Sequence, residues 1–240
     1  MREHFLRVED GTEVGIEVDL TSYGYSDRYS WLFSVFIKFD ALDDTIDGFE
    51  EYLEVKESLI IELEHDNKAK YVGSRVVDGW SELYFYAQDS KGLQAIVSKS
   101  LTPLNYVFES SVVKDSKWDF HYKNLSPNEL EIALIETKKI IFLLEEEGDD
   151  LEIPRVVEHY VSFEVPTQKE RFVQNLSLDG FTYKDDISSD EFENGIALTK
   201  VHSVTYDDVK SVIEELFVEI KKAQGYYEGW STTLAEEVDV

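Results

Sequence analysis

The chain has 240 residues, room for one large domain or two small ones. Its 42% hydrophobic and 13% aromatic content is enough for a packed core and excludes a disordered chain. Against 23 Lys and Arg stand 51 Asp and Glu, a formal charge of −28 that repels phosphate and disfavours direct nucleic-acid binding and docking on an anionic membrane; it leaves open a basic protein partner, or serves solubility alone.

Cysteine is absent, which removes disulfides, thiolate nucleophiles and cysteine metal sites. No apolar run approaches the ~20 residues of a membrane span. Residues 1–10 carry Arg and Glu where a signal peptide would be apolar. These features predict a soluble, cytoplasmic protein.

Val14, Ile16 and Val18 alternate over a short stretch, a weak lead-in strand. Over residues 30–39, Trp31, Phe33, Val35, Ile37 and Phe39 share one face, with Ser34 and Lys38 on the other, predicting a strand with one buried side. An acidic loop over 40–48 follows. Asp47 with Glu50 resembles an N-cap pair, and Phe49, Leu53 and Ile60 recur at helical spacing to about residue 65. Two β-rich runs, 71–77 and 80–87, are joined by Asp78-Gly79, a strong hairpin signal. Residues 90–101 read as a helix with Leu93, Ile96 and Val97 inward, ended by Pro103. A strand over 106–113 completes the order β-α-β-β-α-β.

Ser126, Pro127 and Glu129 then offer an N-cap, a first-turn proline and a capping-box partner. Leu130, Ala133, Leu134, Thr137, Ile141 and Leu144 form the inward stripe of a helix ending near Gly148. Glu145, Glu146, Glu147, Asp149 and Asp150 follow, an acidic run that is either a solvated surface or a dock for basic residues. Residues 156–165 read as a strand. Thr167 with Glu170 opens a helix through Phe172 and Leu176 that Gly180 closes. Strands over 181–185 and 195–204 flank an acidic connector. Thr205 with Asp208 caps a helix bearing Val209, Val212, Ile213, Leu216, Phe217 and Ile220, the clearest amphipathic stripe in the chain. The segment 226–234 closes as a last strand, and the order β-α-β-β-α-β recurs.

The expected fold class is therefore α+β: two tandem ferredoxin-like α/β sandwiches, each a four-stranded antiparallel sheet with helices on one face. The boundary falls within 115–127, giving an N-terminal domain over 1–122 and a second over 123–240. In the first domain Leu83, Phe85 and Ala87 share one face, and Glu82, Tyr84 and Tyr86 the other, which is left open by the helices. Tyr71 and Tyr106 join that open face if the register allows. Aromatic sheet faces can stack bases, but the charge argues against RNA, so the expected cover is the other domain or a second chain.

Chemistry is sparsely signalled. The histidines, His4, His65, His121, His159 and His202, show no metal-binding spacing. There is no nucleophile elbow, phosphate-binding loop or dinucleotide fingerprint, and the region 186–194 lacks the register of a calcium loop. No catalytic, cofactor-binding or metal-ligating residue is assigned. Two clusters stand out as interaction candidates. One is Pro154-Arg155 with Glu158 and His159; alternation places His159 with Val157, Val161 and Phe163, as a hydrogen-bonded histidine at the core's edge. The other runs from Gly225 through Tyr226, Tyr227, Glu228 and Gly229 to Trp230. Its two glycines suggest a sharp chain reversal, with Trp230 either plugging the core or serving as a binding anchor.

On these residues the C-terminal half resembles the regulator of ribonuclease E activity B family, RraB. The resemblance rests on Pro154-Arg155, Glu158-His159 with the strand to Phe163, Gly180-Phe181, and Gly225 to Trp230. The family ending of tyrosine, aspartate, glycine and tryptophan is met by Tyr227, Glu228, Gly229 and Trp230, with glutamate for aspartate. The stretch Glu147, Gly148, Asp149 before Arg155 also fits. The N-terminal half resembles a bacterial domain of unknown function often fused to this family, through Tyr71 to Arg75, Tyr84 to Tyr86, and Trp118, Tyr122, Leu125 and Pro127. The resemblance implies a ferredoxin-like C-terminal fold. It also implies a non-enzymatic regulator that binds the scaffold region of a ribonuclease E-type enzyme. Two alternatives stay open: a small-molecule binder or enzyme with a pocket between the domains, lined by His159, Arg155 and Trp230, and a homo-oligomer joined through an open sheet face.

Overall fold

The computed structural model describes residues 2–38, 46–176, 179–190 and 192–235. The chain divides into two compact units, Met1–Pro127 and Asn128–Val240.

The first unit opens with a hairpin, β1 (Arg2–Glu9) and β2 (Thr12–Asp19), turned at Asp10 and Gly11, both in the left-handed region. Then come β3 (Trp31–Lys38), α1 (Ile46–Glu64), β4 (Ala69–Val77), β5 (Trp80–Ala87), α2 (Leu93–Leu101) and β6 (Phe108–Lys114). Six antiparallel strands lie in the order β1-β2-β4-β5-β3-β6. The expected four-stranded sheet is thus extended by two strands, because the weak alternation at Val14, Ile16 and Val18 marks the inner half of a fully paired hairpin. The turn between β4 and β5 is at Asp78 (φ 49°) and Gly79 (φ 76°), the twist-matched geometry that an Asp-Gly pair accommodates.

The helices cover one face, where Phe33, Val35, Ile37, Leu83 and Phe85 meet Leu59, Leu63, Leu93, Val97 and Leu101. On α1 the buried stripe is Tyr52, Leu59, Ile60 and Leu63, whereas Phe49 and Leu53 are exposed. The predicted stripe therefore lies one face off at its N-terminal end. The proposed cap Asp47 lies outside the residues whose side chains are described, as does Phe39. Tyr71 packs on this helical side against Phe85, with Tyr106 partly buried there, so neither joins the opposite face.

Over Tyr84 and Tyr86 that opposite face is covered, contrary to expectation, from within the unit. Tyr84 and Tyr86 are buried. The Trp118 indole stacks on Tyr86 at 4.0 Å and 11°, and Phe120 lies 4.4 Å from Tyr84. The Trp118 Nε1–H donates to the Tyr29 carbonyl at 2.6 Å, and the Tyr86 hydroxyl donates to Asp115 at 2.6 Å. Strand β3 is consequently buried on both sides, including Leu32 and Ser34. A π-helical turn, His121–Leu125, ends this covering segment. Gly73 permits a further close approach, since a Cβ there would stand 2.4 Å from the Glu17 carbonyl oxygen and 3.3 Å from Leu125.

The second unit comprises α3 (Glu129–Glu146), β7 (Arg155–Phe163), α4 (Pro166–Gln174), β8 (Thr182–Ile187), β9 (Asn194–His202), α5 (Tyr206–Lys222) and β10 (Gly225–Thr232). Its antiparallel sheet runs β10-β7-β9-β8. Two caps differ from expectation. The Ser126 hydroxyl donates to the His121 carbonyl in the preceding turn, and Asn128 with Glu131 forms the capping box of α3. Helix α4 starts after Val165, whose N–H is bonded by Gln168, and stops at Asn175, short of Gly180. The α5 cap is as read: Thr205 accepts from the Asp208 N–H. Acidic residues in the first turn of α5 and lysines in the last complement its dipole.

Candidate functional site

Alternation along β7 sends Val157, His159 and Val161 under the helices, while Glu158, Tyr160 and Ser162 take the other side. In β10 Tyr227 pairs opposite Val161 and Trp230 opposite His159. Residues three apart on a regular strand face opposite ways. The register shift between Tyr227 and Gly229 cancels that difference, so both rings enter the helix-covered layer. Gly229 holds φ +127° at this bulge with open space where a Cβ would be. The 225–230 segment is thus a bulged strand, and the left-handed residue preceding it is Gln224 (φ 60°), so the expected chain reversal does not occur at Gly229.

Trp230 fills the core between α3, α5 and the sheet, and its Nε1–H donates to Thr137 Oγ at 3.1 Å. His159 is wholly buried. Its Nδ1 lies 2.9 Å from the Tyr227 hydroxyl and its Nε2 3.2 Å from His202 Nε2. His202 Nδ1 lies 2.6 Å from the Ser203 carbonyl oxygen. Burial, with positive charge at His202 and Lys200, pushes the His159 imidazole down to about 3. Burial likewise lowers His202, and burial raises the Tyr227 phenol. All three groups are neutral at pH 7, a hydrogen-bonded interior with no charged acid or nucleophile.

The other candidates do not converge on that cluster. Arg155 pairs with Asp149 at 2.5 Å, and both side chains are almost completely buried. Arg155 also donates to the carbonyls of Asp150, Ile153 and Thr233. Asp149 further accepts the Ala235 N–H at 3.0 Å, so this member of the acidic run is an internal anchor and not free for a partner. Glu158 pairs with Lys184, and Glu228 accepts from Ser162 on the side away from the helices. There Glu164, Glu193, Phe192, Tyr226 and Glu228 line a cleft of about 340 Å³. The sequence does not single out His202 as a partner of His159, although it ends a strand whose alternation puts both on one face; Thr137 falls on the predicted inward stripe of α3, but nothing in the sequence pairs it with Trp230.

In the first unit, Lys56 on α1 is buried and donates to Glu17 and Ser74, each at 3.2 Å. Tyr71 donates to Glu17 at 2.5 Å. Burial pushes the Glu17 carboxyl up, but Tyr71 and Lys56 outweigh it and hold it below the ordinary value. The network pins α1 to the sheet. His121 is buried among Tyr23, Trp118 and Tyr122, and neither ring nitrogen has a hydrogen-bond partner among the described residues. Burial lowers it to about 4, against the pull of Asp19. Among the described residues no three His, Asp or Glu side chains form a metal-holding group, and no helix is long and apolar enough to cross a membrane.

Fold and side-chain layout together define an α+β protein of two antiparallel-sheet units whose distinctive residues build interiors. Residues 7–126 match the family of unknown function DUF695, and residues 134–232 match the family described as regulator of ribonuclease activity B. The chain belongs to DUF695 through its first unit and to the RraB family through its second. No curated protein matches the chain. A crystal structure of an unknown protein from Galdieria sulphuraria is similar at 10% identity, over 87% of this chain and 99% of that one, with a TM-score of 0.20.

Proposed function

We propose that the protein is a non-enzymatic, cytoplasmic regulator that binds a basic segment of a protein partner and restrains a ribonuclease E-type enzyme through its basic scaffold region. The observation that carries this reading is the coincidence of an RraB-family region with a net charge of −28. Charge of that size steers Lys- and Arg-rich segments into encounter and fixes their orientation. The buried state of Arg155, His159 and Trp230 agrees with a protein that acts through its surface. Each unit is read as a ferredoxin-like sandwich: β3 to β6 run β4-β5-β3-β6 and β7 to β10 run β10-β7-β9-β8, the same order within each β-α-β-β-α-β set. The DUF695 unit adds a second domain to the regulator.

Calorimetry of the full chain against a Lys/Arg-rich scaffold peptide tests the reading. Binding is expected at low ionic strength and weakens steadily as salt screens the exposed charges. No heat of binding at low salt would overturn it.

A further inference from the structure

We infer that Tyr227, His159 and His202 form a one-way chain of hydrogen bonds that works as an acid-sensitive latch on the C-terminal strand β10. The direction follows from donor arithmetic. The Ser203 carbonyl can only accept, so His202 carries its proton on Nδ1, and in the neutral ring its Nε2 is a lone pair. At 3.2 Å that lone pair must receive the proton on His159 Nε2. His159 Nδ1 is then an acceptor, and the Tyr227 hydroxyl donates to it at 2.9 Å. Three strands are joined in this way: β10 by Tyr227, β7 by His159 and β9 by His202.

The chain admits one arrangement of protons only while His202 is neutral. A solvent proton taken up at His202 Nε2 sets two N–H groups against each other. The two rings must then part, or His159 must carry its proton on Nδ1. In the second case the Tyr227 hydroxyl loses its acceptor within the apolar layer where it packs, an unpaired buried donor that folding does not tolerate cheaply. Proton uptake at the half-buried His202 is thereby transmitted to β10, whose bulge also positions Trp230. The groups facing the pair act in both directions. Lys200 on β9 opposes protonation of both histidines; it is itself paired with Glu215 on α5 at 3.0 Å. Asp208 on α5 favours the charged His202, and the Phe181 ring edge adds no charge.

Ring nitrogen NMR of the intact protein tests the latch without any substitution. At pH 7.5 His159 is expected as the Nε2–H tautomer and His202 as the Nδ1–H tautomer. On acidification the Tyr227 and Trp230 resonances shift with the midpoint of His202. His202→Gln keeps an acceptor for His159 but cannot titrate, and should abolish that shared midpoint. A His159 Nδ1–H tautomer at neutral pH, β10 resonances that ignore the His202 titration, or an unchanged midpoint in the glutamine variant would each overturn the proposal.

Discussion

His121 and His159 are both neutral in the folded protein and both ordinary once the chain unfolds. Their folded values are depressed to about 4 and about 3, below the unfolded value of ~6.5. Between those limits the unfolded chain binds more protons, so stability rises with pH there. It is complete above about pH 6.5 and falls as the pH drops toward the folded values, with a slope of up to ~1.4 kcal/mol per pH unit for each buried ring. Urea midpoints should therefore be level from pH 7 to 8 and decline steadily from 6.5 to 5. A midpoint independent of pH across that lower window would show that neither histidine stays neutral inside. The placement of His159 was legible from alternation along its strand. The setting of His121 was not, because no periodic pattern marks an irregular segment folding back over a sheet.

Two glycines show how much of an element's shape hangs on one backbone position. At Gly229 a Cβ would meet nothing, yet φ +127° is a conformation that L side chains rarely adopt. Gly229→Ala should cost about 1–3 kcal/mol through backbone strain alone. At Gly73 a Cβ would lie 2.4 Å from a carbonyl oxygen of the neighbouring strand, an obstacle that cannot rotate away. Gly73→Ala should lower stability by more than Gly229→Ala, in denaturant titrations of each variant. Equal losses would mean that the β2–β4 approach relaxes freely. The later strands, the β4–β5 hairpin and the α5 stripe were readable because their signals are local: alternation, Asp78-Gly79, and Thr205 with Asp208; the β1–β2 hairpin was not, since only Val14, Ile16 and Val18 alternate there. The bulge was not, since Tyr227 and Trp230 at odd spacing look like residues on opposite faces. The α3 cap was displaced because the turn ending at Leu125 consumed the Ser126 hydroxyl that the sequence offered for it.

For the whole molecule, charge and burial divide the roles. Trp118, Trp230, Tyr84, Tyr86, His121 and His159 are interior, so the recognition proposed above falls to the acidic exterior. What composition could not convey is that the residues linking the two element repeats are part of the first unit's own structure. Trp118 is completely buried, Leu125 likewise, and Arg7 on β1 donates to the carbonyls of Asn124 and Ser126 at 3.1 and 2.8 Å.

That backing segment has a practical bearing on where the chain can be cut. A fragment ending after Pro127 keeps its keel and should unfold as a cooperative body with little affinity for hydrophobic dyes. One ending at Lys114, where the last strand stops, would leave the rings of Tyr84 and Tyr86 bare to water and should light up such a dye strongly. If the shorter piece stayed dark and equally resistant to urea, the indole at position 118 would be mere trim on the sheet it shelters.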